Sequence, residues 1–180
     1  MTASIDGYVT DRHGALDWTS PSDELFAFHL ARVQGLGAHL SGRRLHETML
    51  PWETDPSMRA TPAMSQFADV WSALPKVVFS RTLTEVRGTA RLARGSVAEE
   101  VATALGSADG DVEIGGADLA GQAVTLGLVD ELHLFRAPVV LGGGTPYLPP
   151  LAQPVTLELV ETRTFPPGVV FERYRFPRAT

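Results

Sequence analysis

Three short stretches of this chain combine backbone amides with cationic or hydroxyl side chains: Gly42-Arg43-Arg44, Ser80-Arg81-Thr82 and Gly115-Gly116. Each follows an apolar run that reads as a strand, and the two glycine-led stretches pass straight into helical patterning. A strand that stops at glycine and turns at once into a helix aims unpaired N–H groups at whatever lies above the strand end. The positive end of the helix dipole points the same way. Arginine adds a planar fork of donors that matches phosphate oxygens. The chemistry these parts suit is the holding of a phosphate or pyrophosphate. The alternative for the glycine pair is a tight strand-to-helix turn with no ligand.

The elements that must position these stretches follow from periodicity. A strand over Val112–Ile114 leads into the double glycine, a helix over Ala117–Leu126 follows it, and a long strand is predicted over Glu131–Leu141. Earlier, Ala38–Ser41 reads as a strand ending at Gly42, and Arg43–Met49 as the helix that restarts there. Lys76–Ser80 is a strand, and Thr89–Ala93 an extended piece before a helix over Val97–Leu105. Near the start, Thr2–Ile5 is a strand closed by Asp6-Gly7. Ser20-Pro21-Ser22-Asp23 has the form of a helix opening, with Ser20 as cap and Pro21 in the first helical position. Leu25, Phe26, His29, Leu30 and Val33 follow at helical spacing. Leu50–Thr61 reads as a proline-containing loop, and Pro62–Ala73 as a helix with Met64, Phe67, Ala68 and Trp71 on one face. Two closing strands, Val155–Phe165 and Val169–Phe176, join through Pro166-Pro167-Gly168 as a hairpin.

Strands alternate with helices and then pair in a hairpin. That order predicts an α/β fold with a mostly parallel sheet, helices on both faces and an antiparallel edge, in a single domain spanning residues 1–180. Ligands of such sheets lie across the carboxyl ends of strands, so the three stretches are expected to converge.

Composition excludes several other readings. Apolar residues make up 44% and charged residues 20%, an ordinary globular balance. A net charge of −6 leaves no basic face for nucleic acid or an anionic membrane surface. The absence of cysteine rules out disulfides, iron–sulfur clusters and thiol catalysis. No run approaches the ~20 apolar residues that span a bilayer, and no signal peptide precedes the first strand, so a soluble cytoplasmic protein is expected. Histidines show no metal-binding spacing, and neither G-x-G-x-x-G, a phosphate loop with lysine, nor G-x-S-x-G occurs.

Taken in order, Ser4-Ile5-Asp6-Gly7, GRRLHETM (Gly42–Met49), the K-x-V-x-S-R-T-L run (Lys76–Leu83), I-G-G-A-x-L from Ile114, G-L-V-D-E-L and P-V-V-L-G-G-G resemble the dihydrofolate reductase-like superfamily. The nearest branch contains the reductase domain of the bifunctional riboflavin-biosynthesis deaminase-reductase and its stand-alone relatives. The resemblance covers essentially the whole chain. It implies a three-layer α/β/α domain, usually a homodimer, that binds NADPH and reduces a small molecule. Gly42, Arg43 and Arg44 would hold cofactor phosphates, and Ser80 and Arg81 would meet the adenosine 2′-phosphate. Gly115, Gly116, Ala117 and Leu119 would approach the pyrophosphate and the nicotinamide side. Ala3, through its backbone, and Leu16 would lie against the nicotinamide ring.

Two departures stand out. The riboflavin-pathway reductase carries a glutamate before the double glycine. Here Ile114 takes that place, and Glu113 points to the opposite side of the strand. The folate-binding carboxylate of true dihydrofolate reductases also lacks a clear counterpart; Asp23 and Glu24 qualify by proximity alone. Asp6, which closes the first strand, is the first choice for substrate contact or proton relay. The competing reading is an Asp-Gly turn whose carboxylate binds local amides. Trp18 and Trp52 are candidates for a flat aromatic pocket, with plain packing as the alternative. The function expected is an NADPH-dependent reductase of a small pterin-, folate- or pyrimidine-like heterocycle or a carbonyl compound. The alternative is a dinucleotide-binding dimer that reduces nothing.

Overall fold

A computed structural model describes residues 1–151 and 153–177. In chain order the elements are β1 (Thr2–Ser4), α1 (Asp23–Gln34), β2 (Leu36–Gly42), α2 (Arg43–Met49), α3 (Pro51–Thr54), α4 (Pro62–Ala73), β3 (Lys76–Phe79), β4 (Ala90–Leu92), α5 (Val97–Ser107), β5 (Asp111–Gly115), α6 (Ala117–Thr125), β6 (Glu131–Ala137), β7 (Glu158–Phe165) and β8 (Val169–Arg175). The contacts divide the chain into two compact units, Met1–Phe26 with Ala120–Thr180 and Ala27–Leu119, the divisions falling inside α1 and α6.

The Ala27–Leu119 unit carries a sheet in the order β4-β3-β2-β5, with every ladder parallel. Leu40, Val77 and Val78 are buried on its inner strands, as expected of a sheet covered on both faces. Helix α4 forms where the sequence places it. Thr61 caps it through Met64 N at 3.2 Å, Pro62 takes the first turn, and Phe67, Ala68 and Trp71 are its buried stripe. Helix α5 opens on a full capping box, Ser96 with Glu99. Its next residue, Glu100, is buried and gathers the β4–α5 turn, accepting from both Arg91 terminal nitrogens (3.2 and 2.6 Å) and from the amides of Arg94 (2.6 Å) and Gly95 (3.2 Å).

The other unit pairs β1 with β6 in parallel and then runs antiparallel through β8 to β7, in the order β1-β6-β8-β7. Phe135, Phe165 and Phe171 are its largest fully buried side chains. Mostly parallel pairing with a C-terminal antiparallel hairpin is therefore what the chain forms.

Several boundaries differ from the sequence pattern, each for a local reason. The strand predicted over Glu131–Leu141 ends at Ala137, because Pro138 has no N–H and the amides of Leu141 and Gly142 are taken by Asp6. The strand predicted from Val155 starts at Glu158, whose partner Arg175 ends β8 just before Pro177. The first helix is capped by Ser22 and not Ser20: Ser22 Oγ accepts from Leu25 N at 3.3 Å. Within Leu50–Thr61 the prolines open structure as well as interrupting it. Pro51 starts α3, and Pro56 starts a 3₁₀ turn over Pro56–Arg59.

Candidate functional site

The carboxyl ends of β3, β2 and β5 lie side by side, because these neighbouring strands run parallel. In register, Gly42 stands beside Phe79, and Ser41 beside Gly115. The three stretches thus leave one edge of one sheet together. The links between them are direct. Arg43 Nη1 donates to Thr82 Oγ1 at 3.2 Å while its Nε donates to Glu47 Oε1 at 2.7 Å. A Cβ placed on Gly116 would come within 3.9 Å of Gly42 N. Ser80 Oγ accepts from the amides of Thr82 (3.2 Å) and Leu83 (3.0 Å), which winds the chain after β3 into a tight turn. Arg44 and Arg81 are exposed, and among the described residues neither is paired with a carboxylate.

Glycine is required at both positions of the pair. Gly116 has φ +92°, a region L side chains rarely adopt. At Gly115 a Cβ would overlap the Leu45 side chain and lie 3.0 Å from His39 Nε2. Helix α2 starts at Gly42 with no side-chain cap and no acidic residue in its first turn. Helix α6 differs: Asp118 already sets a carboxylate in its first turn. The uncompensated positive groups at this edge are therefore the arginines and the α2 start more than the α6 dipole, which Asp118 already meets. Ala117 is half-buried in the first turn of α6, and Leu119 is buried.

Ala3, Asp6 and Leu16 belong to the other unit. Ala3 is buried in β1, beside Arg136 of β6; Leu16 is exposed on the loop that follows Tyr8. Asp6 is fully engaged. Its Oδ1 accepts from Ser4 Oγ (2.7 Å) and Leu141 N (3.0 Å), and its Oδ2 from Gly142 N (2.7 Å). These bonds, the Ser4 hydroxyl foremost, hold its pKa down to about 2 against an ordinary 3.8. Arg12 donates to the Gly142 carbonyl and Thr10 Oγ1 to Thr145 Oγ1 at 2.9 Å, so the glycine-rich turn is tied down at several points. Because the folded pKa lies below the unfolded one, Asp6 adds stability above about pH 4 that is lost as pH falls toward 2. Asp6→Asn should flatten that part of the melting-temperature profile. An unchanged difference between melts at pH 6 and pH 2.5 would refute the clasp.

Of the other candidates, Glu24 pairs with Arg163 Nη2 at 2.9 Å. Trp52 packs on Phe67 with ring centroids 4.5 Å apart, and Phe67 lies over Trp71, so Trp52 belongs to a packed aromatic cluster. Trp18 Nε1 is buried without a hydrogen-bond partner among the described residues.

The sequence matches the RibD C-terminal domain over residues 1–171. The chain belongs to that family. Among its relatives is the uncharacterized protein YyaP of Bacillus subtilis (strain 168), 31% identical over 178 residues that cover 94% of this chain and 89% of that protein. Among solved structures, a protein provisionally named for riboflavin biosynthesis from Shewanella sp. PV-4 superposes with a TM-score of 0.78 at 22% identity, covering 99% of this chain and 97% of that one. Dihydrofolate reductase from Enterococcus faecalis, solved with NADP(H), gives 0.66 at 18% identity, with coverage of 98% and 94%. The fold of this RibD C-terminal domain is thus the α/β fold of the dihydrofolate reductase kind.

One feature of this RibD C-terminal domain was not read from sequence. Lys76, His39 and Glu113 are direct neighbours across β3, β2 and β5 and share a face of the sheet. Lys76 and His39 are each 4% exposed. Lys76 Nζ lies 3.4 Å from Glu53 Oε1, and Glu113 Oε1 is 3.0 Å from Arg32 Nη2. A polar row therefore crosses the middle of a sheet in which Leu40, Val77 and Val78 are buried. The available signal was a lysine, a histidine and a glutamate, each inside or at the start of an apolar run.

Proposed function

We propose that this protein is an NADPH-dependent reductase of a small heterocycle of the pyrimidine or pterin kind, or of a carbonyl compound. The observation that carries the reading is the convergence of Gly42–Arg44, Ser80–Thr82 and Gly115-Gly116 on adjacent parallel strand ends, in a member of this family. NADPH, when bound, supplies a hydride. The chain's own task is to hold and orient it. Arg43 and Arg44, with the uncapped start of α2, would hold phosphate oxygens; Ser80 and Arg81 would take the 2′-phosphate; the Gly115-Gly116 turn would admit the pyrophosphate without a side chain in its way. The residues fit such a group: the glycines leave room, and the guanidinium groups of Arg44 and Arg81 are exposed.

Asp6 has a different place in this reading. A carboxylate with a pKa near 2 carries no proton to give at neutral pH, and its oxygens already accept three hydrogen bonds. Asp6 in this reading holds the 139–144 turn, and the proton comes from another group. Ile114 in place of a glutamate argues against a ribityl-pyrimidine as the substrate.

The deciding experiment is titration of the purified protein with NADPH and NADH, by calorimetry or nicotinamide fluorescence, followed by turnover assays with pterin- and pyrimidine-type acceptors. NADPH-selective binding with turnover is expected. Binding without turnover on any acceptor would favour the non-catalytic dimer, and binding of neither nucleotide would end the reading. The homodimer is part of the same proposal, and sedimentation equilibrium reads it directly.

A further inference from the structure

A fourth strand end lies at the edge that carries Ser80-Arg81-Thr82. β4 runs parallel to β3, with Leu92 beside Val78 and Ala93 N donating to Val78 O at 2.9 Å. Two residues beyond that pair stand Arg94 and Ser80, so Arg94 leaves the sheet where Ser80 does. The chain then makes a junction of the kind seen after β2 and β5: Arg94-Gly95-Ser96 passes straight into α5. The backbone donors of this junction are already taken. Glu100 accepts from the amides of Arg94 and Gly95, and Glu99 Oε2 accepts from Ser96 N and Oγ at 2.7 and 2.8 Å. The Arg91 guanidinium is taken as well, both of its terminal nitrogens going to Glu100. These bonds, Arg91 foremost, hold the Glu100 pKa down to about 2, so the clamp stays charged at neutral pH. Arg94 is the exception. It is exposed, and its guanidinium makes no hydrogen bond or ion pair among the described residues. Its backbone is fixed and its cation is uncommitted.

We infer that Arg94 belongs to the 2′-phosphate subsite, meeting that phosphate from the β4 side while Arg81 meets it from the β3 side. The inference rests on the NADPH reading and adds a second residue that selects the phosphorylated nucleotide. A phosphate monoester carries about −1.5 to −2 charges at neutral pH and three acceptor oxygens. One guanidinium fork offers two parallel donors and a single charge, so one arginine leaves an oxygen and part of the charge unmet. Two arginines on neighbouring strand ends meet both. Paired strands lie about 4.8 Å apart, well within the reach of two arginine side chains that leave them at the same level. The carboxylates of the junction do not cancel Arg94: Glu100 is matched by Arg91, and Glu99 closes the capping box.

The test measures the affinities of NADPH and NADH by calorimetry on the full chain, for wild type, Arg94→Ala and Arg87→Ala. Arg87 is exposed too and likewise makes no hydrogen bond or ion pair among the described residues, but it precedes β4, at the amino end of that strand. It controls for the loss of one positive charge at the opposite edge of the sheet. Arg94→Ala should lower the NADPH-to-NADH affinity ratio by about tenfold, the effect of one charge-assisted hydrogen bond. Arg87→Ala should leave the ratio within about twofold, because charges beyond a Debye length are screened. An unchanged ratio in Arg94→Ala would overturn the inference and leave the reductase reading standing. An equal fall in both variants would also overturn it, since net charge alone would then account for the effect. If Arg94→Ala does not fold, Arg94→Gln takes its place, with the same fall expected and the same unchanged ratio decisive against it. A wild type that binds neither nucleotide is a different result: it ends the reductase reading, and the inference with it.

Discussion

Arg81→Ala should reduce affinity for NADPH by about ten- to a hundredfold and leave NADH within about threefold, since one charge-assisted hydrogen bond contributes roughly 1.5–3 kcal/mol. Arg81 follows Ser80 at the end of β3, where Ser80 Oγ holds the amides of Thr82 and Leu83 and so fixes the turn that carries Arg81. Its guanidinium is exposed, with no hydrogen bond or ion pair among the described residues, so its loss removes no such bond and should leave stability nearly unchanged. The two nucleotides differ by one phosphate, which makes the ratio of their affinities a direct report on the group Arg81 is assigned to meet. Exposure also means screening, so the NADPH-to-NADH ratio should fall as salt rises. Calorimetry on wild type and variant gives both numbers. Equal losses for the two nucleotides would reject the assignment, and Arg81→Lys, which keeps the charge without the fork, should fall between the two.

Much of this edge was legible in the sequence because its parts are contiguous. Gly42-Arg43-Arg44 and Ser80-Arg81-Thr82 are single words, and parallel strands bring their ends together whatever the details of packing. The α4 boundaries were legible for a similar reason: Thr61 and Pro62 announce a start within two residues of each other. What escaped depends on partners far along the chain. The apolar run past Ala137 looks like more strand; Pro138 is a local stop, but the carboxylate of Asp6, 135 residues away from Leu141, is what takes the amides of Leu141 and Gly142 out of the ladder. The same holds for Lys76, His39 and Glu113. Each looks out of place on its own strand, and only the register of three strands turns them into a row. Asp118 marks a different limit. The sequence already places the helix start at Ala117, and Asp118, in its first turn, was passed over because only the glycines and arginines were weighed there.

The largest expected effect on stability lies at the far end of that row. Side-chain exposure is 2% for Lys76 and 5% for Glu53, which makes them a buried ion pair. Lys76 Nζ also donates to the carbonyls of Leu74, at 2.8 Å, and of Trp71. Glu53 Oε2 accepts from Thr89 N at 2.7 Å, so this carboxylate joins α3, the start of β3 and the turn before β4. Burial lowers the lysine's pKa, and the Glu53 charge works against that. Removing Glu53 therefore strands an ammonium in a site that already disfavours it. Glu53→Ala should cost about 3–5 kcal/mol, the usual penalty for breaking one side of a buried pair. Lys76→Met combined with Glu53→Gln should cost clearly less than the sum of the two single changes, because no charge is left alone and the Gln carbonyl can still accept from Thr89. Urea unfolding reads this as shifts in midpoint at constant slope. If the single and double changes simply add, the two side chains are not energetically coupled, and the lysine's carbonyl bonds alone account for its place in the core.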